Sequence, residues 1–472
     1  MWVAFAAKPF LGLGPGASPS SEPDYDQCVT TPADPTRPLP TDPVRLPREI
    51  WVLVAAAVAI ALGYGIVAPV LPRFAKSFDV TTTAATIVVS AFAFMRLSFA
   101  PGAGRLMSVF GERNLYLSGI AVVAASSLAS AFANGYWQLL IYRALGGIGS
   151  ITFTVAAMSL IIRLSPPHAR GRASAAYGAG FLIGNITGPA AGALLSGLGF
   201  RWPFIIYAGF LVIAMTIVSV LIPRSVGARP KKAPTADAAL AHDETGPTVV
   251  GKNLDGTDRG GGAPGSTRKA ADEPELTVAE ALKMPKFRLA LVTNFAQGWT
   301  NMGVRSAVVP LAAEALPGAP DWLPGVALAA FAVGNGIALT RSGRWSDLYG
   351  RRLTVIGGLV TSGVFTIALG FATGWLVFVA TSVFAGLGSG FVQPSQQGTV
   401  ADIVGPRKGG RVVSFFQQSG DLGTILGPIL CGLIVDFLNF TVAFAVSGAI
   451  LLVAAIAWWR LGERPEGVAA RG

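Results

Sequence analysis

Twelve apolar runs, each long enough to cross the hydrocarbon layer of a membrane, fill most of this chain. Because that layer holds no water to bind backbone N–H and C=O groups, a chain with so many runs folds as a bundle of helices. Charged residues make up only 13% of the sequence, against roughly 25% in soluble domains. The sequence therefore predicts an all-α membrane protein with twelve transmembrane helices, which start near Trp51, Ala84, Asn114, Tyr136, Ala173, Trp202, Phe287, Trp322, Leu353, Trp375, Val412 and Phe440.

The two halves of the chain repeat each other at one fixed offset of 239 residues. From Gly104 to Gly209 the register needs no gap, and ten glycines, one proline and two arginines recur. A repeat of this length copies whole transmembrane units rather than a short motif. We therefore expect two pseudo-symmetric six-helix bundles, at residues 48–223 and 286–461.

Three polar segments lie outside these bundles. Residues 1–47 are rich in Pro, Ser and Asp, residues 224–285 are charged and glycine-rich, and residues 462–472 form a short end. Such compositions do not bury enough apolar surface to order the chain. We expect a disordered N-terminal tail, a flexible linker between the bundles and a C-terminal tail, all of them cytoplasmic.

Lysine and arginine are concentrated on one side of this predicted topology. That side carries 30 of the 36 basic residues, the opposite side carries three, and three lie inside spans. By the positive-inside rule, both termini are cytoplasmic in a multi-pass protein of the plasma membrane. The net charge of +11 is thereby explained as a topology signal, so it does not indicate binding to nucleic acid.

The sequence contains no pattern typical of an enzyme or a metal protein. Its two cysteines, Cys28 and Cys431, lie in a tail and in a span, and its two histidines, His168 and His242, lie in loops. No nucleotide-binding loop and no Ser/His/Asp arrangement is present. We therefore expect a monomer in the lipid bilayer with no catalytic activity, no metal and no cofactor.

The loop after the eighth helix reads Gly343-Arg-Trp-Ser-Asp347-Leu-Tyr-Gly350-Arg351-Arg352. A glycine lets two helices approach, while an aspartate accepts hydrogen bonds from a helix N-terminus and pairs with arginine. This pattern predicts a clasp between the two halves on the cytoplasmic side. In the first half Ser108 replaces the aspartate and Glu112 replaces the first arginine, so we expect the first clasp to be weaker.

Gly-Pro steps interrupt two spans at equivalent places. The fifth helix carries Gly184, Gly188 and Pro189, and the eleventh repeats the step as Gly427-Pro428. Small residues at every fourth position make a smooth helix face, and the proline favours a hinge. Ordinary close packing of helices is the alternative explanation.

Charged residues inside the spans are few. Arg143 lies in the fourth helix, and a buried arginine there is usually functional, although hydrogen bonding between helices is the alternative. Asp421 lies well inside the eleventh helix, at the depth of Arg96 in the second. We hypothesise an Arg96–Asp421 pair that breaks on protonation and so gives an element with two states, with a static structural pair as the alternative.

Polar and aromatic residues on several helices are candidates for lining a central cavity. Such a mixed lining suits an amphipathic or aromatic solute, although each residue alone could serve only to bond helices together. Arg305, in the outer half of the seventh helix, could recruit an anion or pair with Glu314. The candidates are Tyr64, Asn185, Asn294, Gln297, Trp299, Asn301, Arg305, Asn335, Gln393, Gln396 and Gln397.

Over roughly Trp51 to Arg460 the chain resembles the major facilitator superfamily, in its two six-helix halves and in the loop motif around Asp347. Its Gly-Pro motif and a first-helix run from Gly63 to Pro72 resemble those of the twelve-helix drug:proton antiporters. The resemblance implies proton-coupled export of small organic molecules by alternating access, with Arg143 matching the motif that the family associates with proton coupling. Transport of a specific metabolite, such as a sugar or amino acid, and a non-transporting sensor or scaffold are the alternatives.

Overall fold

The computed structural model describes residues 46–166, 169–223, 276–405 and 409–461. The side chains of Ser108, Arg170, Ser196 and Asp347 are not among what it describes. The predicted tails and most of the predicted linker therefore lie outside the described residues. Of that linker, residues 278–283 form a short helix, Val278–Lys283, which begins with a capping box between Thr277 and Glu280.

Twelve long helical segments make up nearly all of the described chain, and no strand occurs within it. The prediction of an all-helical protein is confirmed. We label them α1 to α12. The segments are α1 (Arg48–Val67, continued by Leu71–Lys76), α2 (Thr82–Phe110), α3 (Glu112–Ala131), α4 (Tyr136–Leu164), α5 (Arg170–Leu194), α6 (Trp202–Leu221), α7 (Pro285–Gln297, π-helical Gly298–Val304 and Arg305–Glu314), α8 and α9 (Leu323–Leu369, divided at Gly350), α10 (Trp375–Val404), α11 (Gly410–Phe437) and α12 (Phe440–Leu461).

Ten of these helices are long and apolar enough to cross a membrane. The remaining two are α5 and α7, which the sequence also predicts as spans. Helix α5 is rich in glycine, and α7 carries several amide side chains and is divided by its π-helical turn. Both therefore have a low hydropathy for their length, a property of helices whose polar face packs against protein rather than lipid.

The duplication appears in the backbone at two equivalent turns. Gly111 and Gly350 have φ values of 78° and 80°, a region that residues with a Cβ atom seldom enter. Two residues later, Arg113 donates to the carbonyl oxygens of Ser219 and Ile222 at 2.7 and 2.9 Å. Arg113 thus satisfies the free carbonyls at the end of α6.

Arg352 performs the same task in the second half. Its guanidinium donates to the carbonyl oxygens of Trp458 and Trp459, at the end of α12. In each bundle, therefore, an arginine lies two residues after a glycine with positive φ and binds the last turn of the bundle's final helix.

Close backbone contacts hold α5 against α1 and α11 against α7. A Cβ atom on Gly188 would lie 2.6 Å from the carbonyl oxygen of Leu62 and 2.7 Å from the Cα of Gly65. A Cβ atom on Gly427 would lie 2.7 Å from the carbonyl oxygen of Trp299. The Gly-Pro motifs therefore lie where two helix backbones approach closely in each half, and their role as hinges stays a prediction.

Across the two halves, α2 packs on α11 and α5 packs on α8. The second and eleventh helices therefore face each other, which is the arrangement that the hypothesised Arg96–Asp421 pair requires. Relative motion of the halves would therefore change the contacts of residues on α2, α5, α8 and α11.

We predict that Gly188→Val lowers the thermal stability of the purified protein in detergent, because its side chain would overlap the backbone of α1. Overpacking of this kind costs about 1–3 kcal/mol. Gly178→Val is the matched control, because it lies in the same helix and a Cβ atom there would meet no other atom within 4 Å. Equal melting temperatures for the two variants would contradict the close contact.

Candidate functional site

Contacts between the halves gather at one end of the molecule, which we call the closed end. Asp436 of α11 accepts hydrogen bonds from the backbone N–H groups of Thr82 and Thr83, both at 2.7 Å, and from the Thr83 hydroxyl at 2.6 Å. Thr82 and Thr83 form the first turn of α2, so the carboxylate also meets the positive end of that helix. The aspartate therefore fastens one half to the other.

An ion pair makes a second fastening at the closed end. Arg73, near the end of α1, pairs with Glu314 at the end of α7 through Nε to Oε2 at 3.1 Å and Nη2 to Oε1 at 3.2 Å. The Nη2 contact is a hydrogen bond, whereas Nε lies close to the carboxylate without forming one. Close packing continues beside it, since a Cβ atom on Gly325 of α8 would lie 2.7 Å from the side chain of Ala193 on α5.

At the opposite end, which we call the open end, charged residues pair within their own half. Glu112 binds Arg163 at 3.4 Å and accepts a hydrogen bond from Ser159 at 2.6 Å. Arg351 pairs with Asp402. The side chains of Asp347 and Ser108 are outside what the structure describes, so the predicted clasp is not observed here.

These two pairs are related by the repeat, but their charges are exchanged. Glu112 corresponds to Arg351, and Arg163 corresponds to Asp402, at the offset of 239 residues. Ser159 corresponds to Gly398, where the missing side chain leaves room for the guanidinium of Arg351. Glu112, which stands in the place of the first arginine of the loop motif, is thus paired with a base on α4, Arg163.

Arg143 is buried in α4, with 2% of its surface exposed. Its guanidinium carbon lies 4.7 Å from the ring centre of Phe92 on α2, and the ring of Tyr64 lies 6.2 Å from that same ring. Its Nε has no hydrogen-bond acceptor among the described residues. The sequence-predicted residues Arg143 and Tyr64 are therefore brought together around one phenylalanine.

Arg96 and Asp421 are close enough for their charges to interact, but they are not among the described ion pairs. Arg96 instead donates from Nη1 to the hydroxyl of Ser150 on α4 at 2.6 Å. Both side chains are half-buried. In this structure Arg96 and Asp421 thus interact electrostatically but do not form a direct ion pair.

Several predicted cavity residues bond helices of the second half to one another. Asn301 of α7 donates to Ser389 of α10 at 2.8 Å and also bonds to Gln297. Asn294 donates to the carbonyl of Phe416 on α11 at 2.7 Å and accepts from Gln396 of α10 at 3.2 Å. Their amide groups therefore have the structural task that was the alternative to lining a cavity.

The other predicted cavity residues differ in exposure. Asn185, Gln393 and Gln397 are exposed, and Trp299 is buried with its Nε1 donating to Ser447 at 3.2 Å. Asn335 is half-buried, and its side-chain oxygen has no donor among the described residues.

Arg305 is buried in α7, directly after the π-helical turn. Its guanidinium carbon lies 3.7 Å from the ring centre of Phe331 on α8. Glu314, one of the partners expected for it, pairs with Arg73 instead. Nε and Nη1 of Arg305 have no acceptor among the described residues.

Sequence reasoning missed the fastenings of the closed end. Asp436 and Glu314 lie at helix ends, where an acid ordinarily faces water, so nothing local marks them as partners of the other half. The threonines at 81–83 are a helix-start signal, because Thr81 caps α2 by accepting from the backbone of Ala84. The acid that completes this start is more than 350 residues away in the sequence.

Known membrane transporters are similar to this chain in sequence and in fold. A family model described as Major Facilitator Superfamily matches residues 53–316 and 290–472. Among solved structures, a bacterial homologue of the human lysosomal transporter Spinster, inward-facing and unoccupied, is 15% identical with a TM-score of 0.63, over 89% of this chain and 98% of that one. A D-xylose-proton symporter is 14% identical with a TM-score of 0.67, over 87% of this chain and 97% of that one. At such identities the likeness shows the fold alone.

Curated relatives are similar over shorter stretches. An uncharacterised MFS-type transporter of Mycobacterium tuberculosis is 30% identical over 37% of this chain and 30% of its own length. Multidrug resistance protein 2 of Bacillus subtilis is 27% identical, over 37% of this chain and 44% of the relative. Quinolone resistance protein NorA of Staphylococcus aureus is 28% identical, over 40% of this chain and 47% of the relative. The chain thus spans less than half the length of the curated relatives that it matches.

We predict that Asp436→Asn loosens the closed end, because the amide loses the charge that meets the first turn of α2. Spin labels on cysteines at Ser77 and Leu438, both exposed at that end, would report longer distances by electron paramagnetic resonance. Asp321→Asn is the control, since this exposed acid lies in the connection between α7 and α8. An unchanged distance distribution in Asp436→Asn would argue against this fastening.

The exchanged charges at the open end give a further prediction. Glu112→Arg alone places two arginines together and lowers the melting temperature, whereas Glu112→Arg with Arg163→Asp and Ser159→Gly recreates the pair of the second half and restores it. The effect is below about 1 kcal/mol, because Arg163 is partly exposed. Thermal unfolding in detergent measures it, and a triple variant no more stable than Glu112→Arg would refute the equivalence.

Proposed function

The chain belongs to the major facilitator superfamily, and we propose that it is a proton-coupled exporter of small amphipathic organic molecules. Members of this family are membrane transporters and not enzymes, so the chain carries a small molecule across a membrane. The observation that carries the proposal is the asymmetry between the two ends, because the halves are fastened at one end and paired within themselves at the other.

Alternating access follows from this asymmetry. Each half is held internally by close glycine contacts and by carbonyl-binding arginines, so it moves as a unit. The fastenings of Asp436 and of Arg73 with Glu314 are few and polar, and they exchange readily for contacts with water. Rocking of the halves then opens the closed end and closes the open one.

The direction of transport rests on two supports. The distribution of lysine and arginine favours a cytoplasmic position for the open end and both termini, and this supports our assignment of the structure to an inward-facing state of a plasma-membrane protein. Two of the similar proteins are named for multidrug resistance and for quinolone resistance, which favours export of foreign organic molecules. The Gly-Pro steps in α5 and α11 are in keeping with this direction.

Proton coupling is assigned to Asp421 together with Arg96 and Arg143. Asp421 lies on α11 and Arg96 on α2, the two helices that pack across the halves. A change in the charge of Asp421 alters the attraction between the halves at mid-depth, which gives a two-state element that protons bias. The hydroxyl of Ser150 holds Arg96 in place when it is not engaged with the carboxylate.

We predict that Asp421→Asn uncouples transport from protons. In proteoliposomes loaded with a fluorescent organic substrate, an imposed pH gradient should drive substrate movement and counterflow of protons in the unaltered protein. The variant should retain downhill substrate exchange but lose the dependence on the gradient. Asp321→Asn serves as the control, and full coupling in Asp421→Asn would remove this residue from the mechanism.

A failure of the unaltered protein to move protons with any substrate would overturn the proposed function itself. Substrate movement in the same direction as the protons would instead indicate uptake, the alternative that the sequence leaves open.

A further inference from the structure

The charges inside the described spans do not balance. Among the described residues that lie away from the helix ends, three arginines are buried or half-buried, Arg96, Arg143 and Arg305, against one such carboxylate, that of Asp421. Arg96 and Asp421 are electrostatic neighbours and offset each other. Arg143 and Arg305 are left, and neither forms an ion pair with any described residue.

The two arginines are held in the same way in the two halves. Arg143 lies over the ring of Phe92, and Arg305 lies over the ring of Phe331. Phe92 and Phe331 correspond to each other at the offset of 239 residues, although the arginines come from α4 in one half and from α7 in the other. The duplicated ring positions thus each support one guanidinium.

Attraction to an aromatic ring does not compensate a buried guanidinium, because it is much weaker than the cost of removing that charge from water. The unsatisfied donors show the same deficit. Nε of Arg143, and Nε and Nη1 of Arg305, are buried and lack an acceptor among the described residues, as does Nε2 of Gln297. Arg143 and Arg305 are each at least 97% buried. The buried acceptors that also lack a partner among the described residues, such as Oδ1 of Asn301 and Oδ1 of Asn335, are neutral, so they do not offset the charge of either guanidinium.

Both arginines lie just beneath the closed end. Arg143 is seven residues from the start of α4, and Arg305 is nine residues from the end of α7, which is about 10 and 14 Å along their helices. Both positions therefore lie in the part of the span that is nearer to the closed end. The rings of Tyr64 and Phe92 on one side and of Phe331 on the other give that region an aromatic character.

We propose that the transported substrate is an amphipathic organic anion, a carboxylate, sulfonate or phosphate on an apolar or aromatic body, bound by Arg143 and Arg305. This inference rests on the proposed function and specifies its substrate class. The anionic group supplies a charged acceptor to the guanidinium groups, and the aromatic rings contact the body. Export of an anion from a cell with a negative interior is also assisted by the membrane potential, whereas export of a cation is opposed by it.

Binding by the purified full-length chain in lipid nanodiscs tests the proposal. The probes are three naphthalene derivatives of similar size, namely 2-naphthalenesulfonate, 2-naphthalenemethanol and 2-naphthylmethylammonium, measured by calorimetry against empty nanodiscs. The expected order of affinity is anion, then neutral probe, then cation. Equal or tighter binding of the cation would overturn the proposal.

Variants assign the site. Arg143→Gln and Arg305→Gln should each weaken binding of the sulfonate by about tenfold or more, because a hydrogen-bonded charge is lost. Binding of the neutral probe should change little, which also reports that each variant is folded. Arg143→Lys and Arg305→Lys should retain part of the affinity, and Lys76→Gln, a basic side chain exposed at the closed end, should retain all of it. Unchanged sulfonate binding in both glutamine variants would refute the site.

Probe binding and proton-driven efflux are measured independently, so each can fail without the other. Preference for the cation together with proton-driven efflux would refute the anion site and leave the exporter standing. Tight, arginine-dependent binding of the sulfonate without any proton-coupled movement would support the site and refute the exporter.

Discussion

The structure depends on the cost of placing a charge inside a membrane-spanning bundle. Such a charge is tolerated where another charge, a carbonyl group or water compensates it. Arg113 and Arg352 meet this condition at helix ends by binding free carbonyls, and the ion pairs lie at the two ends of the bundle. At mid-depth the charges are compensated least well. The proposed proton coupling and substrate binding both depend on these few charges.

Packing separates what moves from what does not. Within each half, backbones approach so closely at Gly188 and Gly427 that no side chain fits, and such contacts do not slide. Between the halves, the closed end is joined by the hydrogen bonds of Asp436, by the pair of Arg73 with Glu314 and by the close approach of Gly325 to Ala193. The two polar joints lie near water and can be exchanged at little cost, so they oppose separation of the halves less than buried backbone packing does.

Much of the fold could be predicted because its signals are local. Hydropathy identifies the spans, glycine spacing identifies the repeat, and an arginine among apolar residues identifies Arg143. The partners of these residues could not be predicted. Asp436 binds the start of α2, which is more than 350 residues away in the sequence. Arg143 and Arg305 each lie over the ring of a phenylalanine on another helix. The amide side chains of Asn294 and Asn301 could serve a cavity or a helix contact, and only the three-dimensional arrangement shows the latter bonds.

The exchanged ion pairs of the open end show how a duplicated protein uses its own asymmetry. The energy of an isolated pair depends on the product of its charges, so Glu112 with Arg163 and Arg351 with Asp402 are equivalent within their halves. The reversal at Glu112 therefore leaves an ion pair at the first copy of the loop motif, because Arg163 and the hydroxyl of Ser159 supply the partners that the altered motif requires.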